Sequence, residues 1–288
     1  MGGKAGGREG VPKVERRENG KWHSAQLPAG LHGWIAGASA TSASDIWAVT
    51  ALDGKVINWN GGHWVSVPGG GWGTKGRFTG IIATSRSNVW LFGARGLTRP
   101  GAGTWHLSGG KWTHVRGLAT NIDKASAAST GVLWAIGGSS QNALLELTHG
   151  AWHHVGPAAL AGFTYSAVLA LGPSNVWVAG AVAGSPELGH FDGHAWKALT
   201  MPGVTSATGM CRDGRGGMWV IANPGTGPSG VLDRSASGHW STAKVASTSA
   251  DEVLACTHVS GRDATWGAGK AVAPQGTAAA AYGFGSTP

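Results

Sequence analysis

Carboxylates are the first residues to test for chemistry, because a glycoside hydrolase needs two of them facing each other across the bond to be broken. The chain has only 14 Asp and Glu among 288 residues. Asp45, Asp53, Asp192 and Asp213 fall in stretches that read as turns, Asp123 and Glu252 lie near strand-like runs, and no two make a paired arrangement. Twelve histidines raise metal binding instead, with His149, His153 and His154 the densest group. In an extended segment His153 and His154 point to opposite faces, so one ion cannot take both. His63, His114, His194 and His239 recur close to a tryptophan and read as surface. No Ser–His–Asp set, phosphate loop or dinucleotide glycine motif can be assembled, because the glycines sit between strand-like runs and not before helices. The chemistry-bearing residues therefore point to a non-enzymatic protein with no metal and no cofactor.

Binding residues are easier to find. The loop "GGGWGTKGRF" (69–78) puts Trp72 in a glycine-rich setting beside Lys75 and Arg77, and an exposed tryptophan often marks a recognition surface. Trp34, Phe78 and Tyr165 stand 12 or 13 residues before a strand-like tryptophan, three aromatics at equivalent places. The net charge of +8 is uneven: between Asp53 and Asp123 there is no acidic residue, while Lys55, Lys75, Arg77, Arg86, Arg95, Arg99, Lys111 and Arg116 give eight positive charges. A basic sector over 54–122 would attract an anionic polymer. A nucleic acid is not expected, since basic residues interleaved with aromatics in a known binding fold are missing. Cys211 and Cys256 have no C-x-x-C spacing, which argues against zinc. They lie 8 and 10 residues before Trp219 and Trp266, on first strands of neighbouring repeats, so a disulfide between them is expected. Such a bond would belong to an oxidising compartment.

The elements that position these residues come from a repeat. Trp47, Trp90, Trp134, Trp177, Trp219 and Trp266 are separated by 43, 44, 43, 42 and 47 residues. A second set, Trp22, Trp64, Trp112, Trp152, Trp196 and Trp240, alternates with the first. A period of about 40–45 residues built from short strands predicts four-stranded propeller blades. Around Trp90, "TGIIATS", "VWLFG", "TWHLSGG" and "KWTHV" read as strands a to d. Strand b is apolar without alternation, as in Ile46-Trp47-Ala48-Val49, so both faces are covered, and the repeated tryptophan reads as packing between blades.

The words S-x-S-D/N-I/V-W-A-V-G and W-x-G-x-x-W resemble the repeat of bacterial β-propeller proteins common in actinobacteria, many of them secreted or attached to cell-surface proteins. The resemblance runs from about Val14 to Phe284 and implies a fold and a non-catalytic habit. "CRDGRGGMW" (211–219) is similar to a structural turn of sialidases and regulator propellers, but Tyr165 and Tyr282 sit in no setting that suits a nucleophile. "VERRENGKWHSAQL" is similar to a strand pair of six-bladed fucose-binding lectins, with only Glu15 and Trp22 fitting.

The expectation is an all-β, six-bladed propeller of four-stranded antiparallel blades over 13–288, after a flexible segment over 1–12. The chain starts with a c–d pair and ends with an a–b pair, so the N-terminal strands are expected to complete the C-terminal blade, with "GTAAAAYGFG" (276–285) competing for strand c. The partner expected at the loop face is a carbohydrate or a protein, the alternatives being a hydrolase or lyase of an anionic polysaccharide and a purely structural module. No run approaches the roughly 20 apolar residues that span a bilayer. The first 22 residues show no apolar signal region, and a secreted or cell-surface location is the expectation that goes with the resemblance.

Overall fold

The computed structural model describes residues 2–3, 12–18, 21–72, 77–94, 102–116, 118, 121–129, 131–137, 142–201, 203–223, 230–243, 252–259, 264–273 and 276–285, with backbone alone for 2–3, 17–18, 77, 94, 223, 243 and the stretches after 251. Strands dominate throughout. Two short pairs come first: β1 (Gly2–Gly3) with β2 (Pro12–Lys13), and β3 (Glu15–Glu18) with β4 (Lys21–Ser24).

Six sheets follow, each in simple chain order. They are β5 (Ile35–Ser42), β6 (Asp45–Thr50), β7 (Val56–Trp59) and β8 (Trp64–Val67); β9 (Arg77–Ser85), β10 (Asn88–Ala94), β11 (Trp105–Ser108) and β12 (Lys111–His114); and β13 (Ile122–Ser129), β14 (Val132–Gly137), β15 (Leu144–Thr148) and β16 (Ala151–Val155). Next come β17 (Phe163–Gly172), β18 (Asn175–Val182), β19 (Ser185–Phe191) and β20 (Trp196–Thr200); β21 (Ser206–Arg212), β22 (Met218–Asn223), β23 (Gly230–Arg234) and β24 (Trp240–Ala243); and a three-stranded sheet of β25 (Glu252–Val259), β26 (Ala264–Ala273) and β27 (Gly276–Gly285). The four segments read around Trp90 match β9 to β12 closely.

In the last sheet the third strand is "GTAAAAYGFG", the competitor named above for that place. β27 pairs with β26 along its whole length, from Ala264↔Gly285 to Ala273↔Gly276, while β3 and β4 form a two-stranded sheet of their own. Pro274 and Gln275 alone separate β26 from β27 in sequence, so closing that hairpin costs little chain entropy, whereas a distant segment must close a very long loop.

The chain divides into two compact units, one of residues 1–131 with 148–152 and one of 132–147 with 153–288. In the first, β5 packs beside β9 and β9 beside β13. Its cores are built on Trp47, Phe78, Ile81, Leu91 and Trp112, and on Val14, Leu31, Ile57, Trp59 and Trp64. In the second, β14 packs beside β17, β17 beside β21 and β21 beside β25. Leu169, Trp177, Leu188, Met218 and Val220 share its main core. Side chains on both faces of the second strands are buried, as their unbroken apolar runs require.

One recurring detail lies in the first strands. In β5, β9, β17, β21 and β25 the register skips a residue, leaving Ala36, Thr79, Ser166, Thr208 and Leu254 as bulges. Two of the bulged residues reach the first strand of the next sheet with their hydroxyls. Thr79 Oγ1 lies 2.8 Å from the carbonyl of Ile122, and Ser166 Oγ donates to that of Ala207 at 2.6 Å. At the other end of the first strands arginines reach back to the preceding sheet: Arg86, just after β9, donates to Ser44 O in the β5–β6 turn at 3.0 Å, and Arg212, at the end of β21, to Leu171 O and Ala170 O of β17 at 2.9 and 2.6 Å.

Candidate functional site

The strand-b tryptophans Trp47, Trp90, Trp134, Trp177 and Trp219 are all buried, as packing residues must be. Two of them belong to the same three-residue device. Asn88 Oδ1 accepts from Trp90 Nε1 at 3.2 Å and from His106 Nε2 at 3.0 Å, and the two rings stack at 3.9 Å. Asn175, Trp177 and His190 repeat it, at 2.8, 3.0 and 3.9 Å. The Ser–Asn lead-in of the repeat therefore supplies an acceptor for the buried indole. Burial lowers the His106 imidazole; His190 is lowered by burial and then by Arg234, whose guanidinium lies 4.4 Å from the Trp177 ring.

Trp72 is not the open side chain that its glycine-rich setting suggested. Phe78, Trp105 and Trp112 meet it edge-on at 5.4, 5.2 and 5.3 Å, and its Nε1 donates to Gly54 O at 2.9 Å. The glycines make this nest possible. A Cβ on Gly70 would stand 2.5 Å from Trp112 Cβ and 2.9 Å from the Trp72 ring. The correction is physical: glycine admits close ring packing as readily as it leaves a loop bare.

Trp34 is the exposed one of the aromatics singled out for the site, with 51% of its surface open. It sits just before β5, on a loop tied to the β6–β7 connection. Trp34 O accepts from Ala51 N at 2.9 Å, His32 N donates to Asp53 Oδ2 at 3.0 Å, and Lys55 Nζ donates to Gly30 O at 2.6 Å. Asp53 Oδ1 also accepts from Thr50 Oγ1. The Trp72–Gly54 bond fastens the loop after β8 to the same connection. Three loops of the first unit are thus joined, and one large ring is left facing solvent.

The other residues singled out from sequence disperse. Phe78 is buried in the core, and Tyr165 is half-buried against Phe163 at 5.1 Å, its phenol pushed up by burial. Asn142 fixes the start of β17 by donating to Phe163 O and accepting from Tyr165 N. Lys75, Arg95 and Arg99 and the side chain of Arg77 lie outside the described residues. Of the basic sector, Lys55 and Arg86 are committed to carbonyls of their own unit, while Lys111 and Arg116 are exposed. Cys211 is disulfide-bonded; the side chain of Cys256 lies outside the described residues.

The carboxylates serve turns. Asp45 Oδ1 accepts from Asn58 Nδ2 at 2.9 Å and lies 3.5 Å from Arg86 Nε; its Oδ2 accepts from Thr41. Asp213 Oδ1 accepts from Arg215 N and Gly217 N at 2.7 and 2.8 Å. Sequence reading missed that Asp233 lies close enough to Asp213 to be affected by it: burial, then Asp213, raises the Asp233 carboxyl. Neighbouring carboxyls of unlike environment can share acid and base roles, but Asp213 is buried and spent on its turn. His63, His114, His149, His153, His154, His194 and His239 are exposed, and among the described residues no three His, Cys, Asp or Glu are placed to hold a metal ion.

Compared by sequence, the chain matches no protein-family profile and no curated protein. Compared by structure it is similar to YCF48 bound to D1 peptide, with a TM-score of 0.69 at 13% identity over 97% of this chain and 89% of that one. It is also similar to virginiamycin B lyase from Staphylococcus aureus with quinupristin (0.66, 11%, 97% and 87%) and to SapL1 lectin with alpha methyl fucoside (0.52, 12%, 86% and 95%). With six successive antiparallel sheets, the fold is that of a six-bladed β-propeller.

Proposed function

We propose that the chain is a non-enzymatic binding propeller that holds a carbohydrate or protein partner on the loop face of its first unit, with Trp34 as the principal contact. The observation that carries this is a half-exposed indole on a loop fixed by backbone, Asp53 and Lys55 hydrogen bonds. A large ring on a loop whose backbone is already fixed costs little ordering of the chain on binding, so its apolar contact converts efficiently into affinity. The similar structures of a peptide-bound protein and a fucoside-bound lectin support a binding use of this fold, and the lyase is a reminder that the fold also carries enzymes. The disulfide of Cys211 supports a secreted or cell-surface location.

The test is an array of glycans and peptides probed at low and moderate salt with wild type and Trp34→Ala. Salt-resistant binding lost in the variant supports the reading. Binding that Trp34→Ala leaves intact, or any product release from a bound polysaccharide, overturns it.

A further inference from the structure

The hairpin turns of β7–β8 and β19–β20 are near copies. Asn60 N donates to His63 O at 3.2 Å, and Asp192 N to Ala195 O at 3.2 Å. Asn60 Oδ1 accepts from Gly62 N and His63 N, both at 3.0 Å; Asp192 Oδ1 accepts from His194 N and Ala195 N at 3.0 and 2.9 Å. The glycine that follows has φ of +96° in one and +94° in the other, each with a serine where its Cβ would be. They differ in three side chains, one of them His194 where this turn has Gly62. An amide replaces the carboxylate, and His63 stands where the other turn has Ala195, its Nε2 3.4 Å from Asn60 Nδ2.

We propose that Asn60–Gly61 is a site of spontaneous deamidation, which turns this hairpin from neutral to anionic. The Gly61 nitrogen, which makes no hydrogen bond among the described residues and belongs to a residue with no side chain of its own, loses its proton and attacks Asn60 Cγ. The Cγ–Nδ2 bond breaks, and the nitrogen leaves as ammonia with a proton relayed through His63. Water then opens the cyclic imide at either carbonyl, giving an aspartyl or isoaspartyl residue. The balance is one water consumed and one ammonia released, with no oxidation or reduction.

Asp192–Gly193 is the built-in control. Imide formation from a carboxyl must expel hydroxide as water, which requires the neutral acid. The N–H of Ala195, the Lys197 ammonium at 2.9 Å and the N–H of His194 hold that carboxyl well below the usual carboxylate range. The aspartyl product at position 60 has a ready-made precedent in the Asp192 turn. The isoaspartyl product lengthens the backbone by one carbon and opposes the Trp59↔Trp64 pairing beside it.

The experiment is to hold the folded protein at mildly alkaline pH and follow each asparagine and Asp192 by peptide mapping and mass. Asn60 is expected to convert ahead of Asn58, Asn88, Asn142 and Asn175, with Asp192 unchanged, and His63→Gln to slow the conversion several-fold. Asn60→Asp, folded like wild type, identifies the product by coelution. An Asn60 that stays intact in the folded protein, or an Asp192 that isomerises at the same rate, overturns the proposal; an unchanged rate in His63→Gln overturns the part given to His63.

Discussion

Ser166 Oγ donates to the carbonyl of Ala207, 41 residues further along the chain, at 2.6 Å. The bond joins the first strands of two neighbouring sheets at a bulge, where the ladder has left a residue free. Thr79 and Ile122 repeat the relationship in the first unit.

These bonds should be felt in stability. Ser166→Ala and Thr79→Val each leave a carbonyl short of a donor, a loss of about 1 kcal/mol. Chemical denaturation should give a lower midpoint with an unchanged slope. No shift in either variant would reduce the contact to incidental geometry.

Acid should weaken the fold through His106 and His190. Burial holds both imidazoles below their ordinary value of 6.5, so the unfolded chain takes up protons that the folded one refuses. Stability is then full above that value and falls as pH drops below it. Melting temperatures across this range should fall less steeply in His106→Gln and His190→Gln than in wild type.

Trp72 and Trp34 should separate cleanly. Trp72→Ala empties an aromatic nest and should cost about 3 kcal/mol. Trp34→Ala removes an exposed ring and should leave the melting curve unchanged while ligand binding is lost. A Trp72 variant of normal stability would contradict the burial described above.

The disulfide of Cys211 predicts no free thiol in the unfolded, unreduced protein, since the chain has one other cysteine, Cys256. Reduction should lower stability by roughly 2–4 kcal/mol. Two titratable thiols before reduction would remove the argument for an oxidising compartment.

Periodicity made the fold legible. The tryptophan recurs in all six repeats and the apolar second strand follows from a local rule, while the Ser–Asp or Ser–Asn turn marks three of them, at Ser44–Asp45, Ser87–Asn88 and Ser174–Asn175. The bulges escaped notice because nothing in "RFTGIIATS" marks Thr79 as an extra residue; only pairing with β10 reveals it. The exposure of the candidate aromatics was hidden for a similar reason. Trp34 and Trp72 both sit among glycines, and what distinguishes them is the presence of Phe78, Trp105 and Trp112 around one ring only.

The half-exposed rings have an optical consequence. Of the 16 tryptophans, Trp22 and Trp34 are the ones that stand out as exposed among the described residues, at 49% and 51%. A dissolved quencher therefore reaches these two indoles first, while rings packed between sheets keep emitting at shorter wavelength. Occupation of the loop face would shield Trp34 and shift the remaining quenchable light to Trp22, giving the unlabelled protein its own fluorescent report of a bound partner.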